Sequence, residues 1–518
     1  MKLNYFRTLC VGFAFFLICA FWQAYDNTIP LILVNKFGMS QSWSGFIMAL
    51  DNILALFMLP LFGAISDRCK NPRGRRTPFI LVGTLIAAVS LFALSFTDSA
   101  QKKAIAEVSA IDDPAALEIL YDAEADEKLM TAEGEAFVLK DLMSRDEFAA
   151  IRCQTTDASG KTVTDPQYTR YVVPARQAYA WQVTKNSPGP LIIFVVLLLI
   201  TLVAMSTFRS PAVALMPDVT IKPLRSKANA VINLMGSAGG ILVLALGMVF
   251  ATGSVRNSLM SYTGYFGIIA GIMLIALFIF MMTVKEPKFV KEMEEESKRF
   301  GLEEKDEEGG TAVKRGLSAS EKRSLFAILA SIVLWFMGYN AVTSKYSVYA
   351  SNILHKDYNL TLIIAQAAAI ISYLPVGIVA SKVGRKRTIL AGVVMLAAAF
   401  GTAAFMREDS PTMLMNCMFA LAGIAWATIN VNSFPMVVEM CSGADVGKYT
   451  GFYYTASMAA QVVTPIFSGL LMDKLGMTVL FPYAVVFVAL AFFTMLLVKH
   501  GDSRPTAKRG LEALDVDD

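Results

Sequence analysis

A short basic turn between two apolar segments occurs twice in this chain, and that duplication narrows the possible folds sharply. The first copy runs Gly63-Ala64-Ile65-Ser66-Asp67-Arg68 and on through Arg73-Gly74-Arg75-Arg76-Thr77-Pro78. The second follows Pro375 and Gly377 and reads Ser381-Lys382-Val383-Gly384-Arg385-Lys386-Arg387-Thr388. Each copy lies between apolar blocks of about 20 residues, the length that crosses a hydrocarbon core as a helix. Twelve such blocks fall near 8–30, 43–63, 78–97, 191–216, 228–251, 262–284, 324–346, 361–380, 388–406, 411–434, 449–472 and 478–498. The chain is therefore expected to be an all-α membrane protein, its twelve transmembrane helices forming two pseudo-symmetric six-helix bundles. Internal repeats of this kind build secondary transporters.

Composition agrees. Hydrophobic residues make up 55% and charged residues only 17%, where a soluble domain carries about 25% charged residues. The first apolar block follows Lys2 and Arg7 as a secretory signal would. Trp22-Gln23-Ala24-Tyr25-Asp26 stands where a small-residue cleavage site is needed, so a retained helix is expected. Orientation follows from Lys and Arg in the short loops. Loops 64–77, 217–227, 381–387 and 435–448 hold 13, and the alternate short loops hold 5. Both termini and both basic turns are thus expected in the cytoplasm, in the plasma membrane. The net charge of +4 reflects this bias and gives no sign of nucleic-acid binding.

The expected organisation is an N-terminal bundle (1–97 and 191–284), an extracytoplasmic insert (98–190), a cytoplasmic linker (285–323), a C-terminal bundle (324–498) and a tail (499–518). Within the insert, Ala115 to Asp141 reads as an acidic helical stretch and Tyr168 to Val183 as a β-like run. Its apolar residues, among them Leu117, Leu120, Phe148 and Trp181, are too many for a disordered chain. Cys153 is its single cysteine, which excludes an internal disulfide. The charge-dense linker reads as a solvated tether.

Charges at membrane depth carry the chemistry, because each is costly unless paired or wetted. Asp51 lies about eight residues into the second block, roughly 12 Å deep. A carboxylate there can exchange a proton or make a structural hydrogen bond across helices. Asp26-Asn27, ahead of Pro30, can bind hydroxyls or cap a broken helix. Arg209, ahead of Pro211, either pairs with an acid of the cavity or snorkels to the surface. Lys345 reads as a rim charge. Trp22, Tyr25, Tyr339 and Trp426, with the amides Asn52, Asn340, Asn430 and Gln461, are the groups that would meet the apolar faces and hydroxyls of a sugar. No GxxxxGK[ST] loop and no His/Cys cluster with metal spacing occurs, so no enzyme activity, metal or cofactor is expected.

The halves also align outside the basic turn. Trp22-x-x-Tyr25-Asp26 parallels Phe336-x-x-Tyr339-Asn340, Asp51 parallels Gln366, and Pro217-Asp218 parallels Pro435 to Glu439. With the spelling from Ser66 to Ile80, these features resemble the major facilitator superfamily, and within it the sucrose–proton and wider glycoside–cation symporters. Arg209, Pro211 and Asp218, and Gly423 to Trp426 running on to Pro435, belong to the same resemblance. It implies uptake of a sugar or glycoside with a proton, sodium being the alternative ion, by alternating access. The plant proteins carry a proton-coupling acid inside the fourth helix, where this chain has none before Asp218, a departure that leaves the coupling ion open; by its depth Asp51, and then Asp26, is the preferred coupling residue. Gly63, Asp67, Arg68, Gly74, Arg75, Arg76, Asp218, Arg385 and Glu439 would form a cytoplasmic gate. In that gate Arg75 or Arg76 pairs with Asp218, Arg385 or Lys386 pairs with Glu439, and Asp67 faces a helix N-terminus. The pairs would hold the outward-open state shut. A proton-coupled exporter of amphipathic compounds and a non-transporting nutrient sensor are the competing readings.

Overall fold

The computed structural model describes residues 3–156, 160, 162–221, 224–300, 318–438, 440 and 446–500. The first bundle holds span 1 (Tyr5–Asn35), span 2 (Gln41–Asp67), span 3 (Thr77–Ala104), span 4 (Gly189–Asp218), span 5 (Arg225–Val249) and span 6 (Thr263–Thr283). The second holds span 7 (Ala319–Tyr349), span 8 (Tyr358–Val383), span 9 (Arg385–Ala404), span 10 (Thr412–Val438), span 11 (Val446–Leu475) and span 12 (Leu480–Leu496). Among the described residues eleven helices are long and apolar enough to cross a membrane, and span 8 adds a helix of 26 residues. Hydrocarbon offers no water to a free N–H or C=O, so the apolar blocks close their hydrogen bonds internally as helices.

Polar side chains set the ends. The Asn4 side chain accepts from Arg7 N at 3.1 Å, and Ser318 and Glu321 form a reciprocal capping box at the start of span 7. Gly384, at φ +98°, is the whole connection between spans 8 and 9. That left-handed geometry strains any residue with a Cβ. Gly74, at φ +114°, turns the chain in the first copy of the motif. A Cβ there would also lie 2.2 Å from the Glu286 carboxylate.

Each bundle has its own apolar core, one around Phe21, Leu91 and Phe208, the other around Trp335, Leu396 and Phe481. Small residues let the backbones approach. Gly239 of span 5 sits against Phe16 O of span 1, and Gly45 of span 2 sits against Pro465 O of span 11. The halves meet at the insert's end of the bundle. There Thr252 Oγ1 bonds the Tyr358 hydroxyl at 2.8 Å and accepts from Asn359 Nδ2 at 3.1 Å. Toward the opposite end, which carries the basic turns, the same face of span 2 that is buried at Gly45 and Ala49 is uncovered at Leu56, 46% exposed.

The insert is a folded unit. Its core gathers Ile105, Leu117, Leu120, Leu139, Phe148 and Tyr168, all fully buried. Helix Pro114–Glu124 gives way to the hairpin β1 (Leu129–Met130) and β2 (Ala136–Phe137) before a one-turn helix at Leu139–Leu142, so the acidic stretch is helical only at its two ends. A second hairpin pairs β3 (Gln154–Thr156) with β4 (Thr162–Thr164). The run from Tyr168 is helical rather than extended, as a π turn Tyr168–Val172 followed by helix Val173–Asn186. Tyr168, Thr169, Val172, Ala175, Arg176, Ala180 and Thr184 are its buried positions, a helical spacing that outweighs the β propensity of Tyr, Thr and Val. Burial pushes the Cys153 thiol up to about 12.

The insert touches both halves. Gln177 Nε2 donates to Asn35 Oδ1 at 3.0 Å and Thr184 Oγ1 to Phe37 O at 3.0 Å. Across the joint, Met477 N donates to Ala132 O at 2.6 Å. The linker begins as helix Glu286–Arg299, laid on the first bundle through Phe289, Val290 and an Arg7–Glu292 ion pair of 3.2 Å, so its first part is docked rather than solvated.

Glu124 ends the first insert helix with a buried carboxylate, neither oxygen of which has a hydrogen-bond partner among the described residues. Burial first, then the Glu127 charge, raises its pKa to about 7, and Tyr179 of helix Val173–Asn186 lies within electrostatic reach. A carboxyl with a raised folded pKa favours the folded state while protonated. The insert should therefore lose on the order of 2 kcal/mol as pH rises from about 4 to about 7. Limited proteolysis of the full chain at pH 5 and pH 8 should show greater protection at pH 5. Glu124→Gln should remove the difference, and a variant with the native pH dependence would contradict this assignment.

Candidate central site

A cavity of about 280 Å³ lies between the halves, lined by Trp22, Asp26, Met48, Asp51, Asn52 and Arg209 from the first bundle. The second bundle contributes Asn340, Thr343, Ser344, Gln461 and Pro465. Spans 1, 2 and 4 thus face spans 7 and 11 across it. Helical spacing explains the grouping. Thr343 and Ser344 follow Asn340 by one turn, Pro465 follows Gln461 by one turn, and Met48 precedes Asp51 and Asn52. Those four were missed in the sequence because none is charged or an amide, although their offsets from the amides place them on the same faces.

Two carboxylates and one guanidinium set the electrostatics. Asn52 Nδ2 donates to Asp51 Oδ1 at 2.7 Å. Asp26 and Asp51 interact electrostatically with each other, and Arg209 acts on both without a direct ion pair among the described residues. The Arg209 guanidinium lies over the Trp22 ring, 5.7 Å from its centroid. Arg209 thus lines the cavity without the direct acid pair expected of it there. With both acids ionised the cluster carries one net negative charge, and a single proton brings it to neutrality. Trp22 Nε1 and Asn340 Nδ2 are buried donors with no acceptor among the described residues. Such donors cost about 1–3 kcal/mol unless a ligand or water oxygen meets them.

The other expected site residues lie elsewhere. The Tyr25 hydroxyl points at Met48 O, 3.4 Å away, tying span 1 to span 2. Asn27 Nδ2 is satisfied by Gln23 O at 2.8 Å within its own helix. Tyr339 and Trp426 stack on each other at 3.7 Å, which closes both ring faces together. Asn430 Oδ1 accepts from the Tyr453 hydroxyl at 3.5 Å. None of these five lines the cavity.

Lys345 is not at a rim. It is fully buried and donates from Nζ to Gln41 O, at 2.6 Å, across the joint between the halves. Beside it Asp473, at the end of span 11, accepts from Gln41 N at 2.7 Å, Ser42 N at 2.9 Å and Ser42 Oγ. A carboxylate of one half thus caps the N-terminus of span 2 in the other, where an anion is favoured.

The basic turn is held inside the first bundle. Arg75 binds Asp218 through Nη2 at 2.6 Å and Nε at 3.2 Å, and Arg76 Nε reaches the same carboxylate at 2.8 Å. Asp67 pairs with Arg76 rather than facing a helix N-terminus. That position belongs to Glu286, which accepts from Arg75 N, Arg76 N, Thr77 N and Thr77 Oγ1 at 2.7–3.0 Å. Gly63 packs against Ser210, since a Cβ there would be 2.9 Å from its Oγ, and Arg68 is exposed. In the second copy, Lys386 Nζ donates to Val498 O at 2.5 Å at the end of span 12, and Arg385 opens span 9. Glu439 lies outside the described residues. The Arg75 and Arg76 pairs join elements of one half, so they brace that half and cannot themselves strap the two halves together. Glu286→Ala should lower the stability of the detergent-purified protein by about 2–3 kcal/mol, read as a fall in melting temperature. An unchanged melt would show that water replaces the carboxylate without cost.

A family model described as Major Facilitator Superfamily matches residues 4–108, 178–430 and 347–515. The sucrose transport protein SUC3 of Arabidopsis thaliana is 34% identical over 64 residues, 12% of this chain and 11% of that protein. The matched stretch thus spans little more than a tenth of that relative's length. The inward-open structure of the xylose transporter XylE from E. coli covers 99% of each chain at a TM-score of 0.59 and 15% identity. A variant of the nucleoside transporter NupG covers 95% of this chain and 100% of its own at 0.57 and 13%. Likeness at these identities is a likeness of fold.

Proposed function

The chain belongs to the major facilitator superfamily, and from that premise we propose that it carries a sugar or glycoside together with a proton by alternating access around the central cavity. The observation that supports this most is the meeting of Asp26, Asp51 and Arg209 with unpartnered Trp22 and Asn340 donors in one chamber shared by both halves. A polyol supplies the oxygens those donors lack, and its hydroxyls can donate to the Gln461 and Asn52 side-chain oxygens. Asp51, with Asp26 second, takes the coupling proton, and Arg209 makes the singly protonated cluster neutral. The polar lining favours a hydroxylated solute over an amphipathic one. The short local match to a sucrose transport protein points the same way. Both termini and the basic turns are assigned to the cytoplasm and the insert to the outside, from the Lys and Arg bias of the short loops. On that assignment, the joint made by Asp473 and Lys345 closes the outer end.

Asp51→Asn should reduce sugar accumulation against a gradient to about the external concentration while sparing counterflow in proteoliposomes. Undiminished, pH-dependent accumulation by that variant would sink the coupling role. Asn340→Ala, losing one hydrogen bond of about 1 kcal/mol, should raise the half-saturation concentration roughly fivefold. An unaltered value would place the substrate elsewhere. Asp473→Asn should open the outer end, seen as faster labelling of a cysteine placed at Ser344 from the outside. Equal labelling would mean that the Asp473 cap does not hold the joint.

A further inference from the structure

The second bundle carries a cleft of about 570 Å³ between spans 8 and 9, backed by span 10. Its walls include Ile371, Pro375, Val379 and Val383 on span 8 and Ala391 and Met395 on span 9. The cleft does not face the central cavity. On span 8, Asn359 bonds Thr252 of the first bundle, and Gln366 lies beside Gly240. At about 100° per residue, Pro375 and Val379 stand roughly 180° and 220° around the helix from Gln366. The cleft therefore opens outward to the bilayer, and Ile371 is 75% exposed there.

What can occupy it follows from its hydrogen bonding. Ser372 Oγ donates to Ala369 O, Thr388 Oγ1 to Gly384 O and Thr428 Oγ1 to Ile424 O, each at 2.7 Å. The hydroxyls along the wall are turned back onto their own helices. A sugar or peptide would find nothing to bond, whereas a hydrocarbon chain needs nothing. From Ala368 to Val383 the groove follows span 8 for about 22 Å at 1.5 Å per residue, against a leaflet depth of about 15 Å. At its end by the basic turn stands Arg387, exposed and with no partner among the described residues. Apolar groove and free cation are complementary to one class of molecule.

We propose that this cleft binds an anionic phospholipid of the leaflet on the basic-turn side, an acyl chain lying along span 8 and the phosphate against Arg387. The geometry matches the basic pockets between spans that hold acidic headgroups. The assignment is independent of what the central cavity carries.

Native mass spectrometry of the delipidated full chain, titrated with phosphatidylglycerol or phosphatidylcholine of identical acyl chains, tests it. One phosphatidylglycerol should be retained about fivefold better, the equivalent of ~1 kcal/mol for one cation at an anionic surface. Arg387→Gln should abolish that preference while both lipids still bind. Arg407→Gln, at the other face of the membrane, should leave it intact. Ala391→Trp should displace both lipids by filling the groove. Glycerol phosphate, which has no acyl chain, should not compete. Equal retention of the two lipids by the native chain, an undiminished preference in Arg387→Gln, or competition by glycerol phosphate would each overturn the proposal.

Discussion

Three charges at membrane depth, Asp26, Asp51 and Arg209, cannot be left to lipid, and the arrangement of the two bundles answers that constraint. A charge at the centre of a spanning helix costs about 2.5–3.5 kcal/mol on insertion scales. Placing all three in one chamber removes them from hydrocarbon and lets each offset another. Neither bundle encloses that chamber alone, since spans 7 and 11 supply Asn340, Thr343, Ser344 and Gln461. The cluster is also left one charge short of balance, whereas the buried Lys36–Asp98 pair balances one for one.

The structural pairs are complete. Lys36 and Asp98 are both fully buried and bond each other, and Lys36 Nζ also donates to Met260 O at 2.6 Å. This ties the ends of spans 1 and 3 to the loop before span 6, beneath the insert. Asp218 binds two arginines and Glu286 four donors of one turn. A buried pair with its partners in place is weak evidence for stability. At the joint, Asp473 and Lys345 both act on Gln41, beside the close approach of Gly45 to Pro465 and the bonds of Thr252 to Tyr358 and Asn359.

The architecture was legible because apolar blocks of spanning length and a duplicated basic turn survive in the linear chain. The charged cavity residues were legible for the same reason: Asp26, Asp51 and Arg209 are anomalous in apolar blocks wherever they point. The amides and rings divided by their facing, which a sequence without an exact register does not show. Asn340 and Gln461 reached the cavity, while Asn27 bonded its own helix and Tyr339 stacked on Trp426. Asp473 and Glu286 went unread because both stand at the edge of a loop, where a carboxylate is ordinary. Their partners lie 432 and 210 residues away, at Gln41 and Arg76. The insert misled at Tyr168 because β-forming residue types there carry a helical burial pattern.

The account rests on one proton moving with each substrate through the Asp26–Asp51–Arg209 chamber. Its most direct test is simultaneous recording of sugar and proton flux in proteoliposomes held in sodium-free buffer with a panel of mono- and disaccharides. The account predicts external alkalinisation on sugar addition, at one proton per sugar. Sugar flux with no proton movement, or flux that appears only when sodium is supplied, would contradict it.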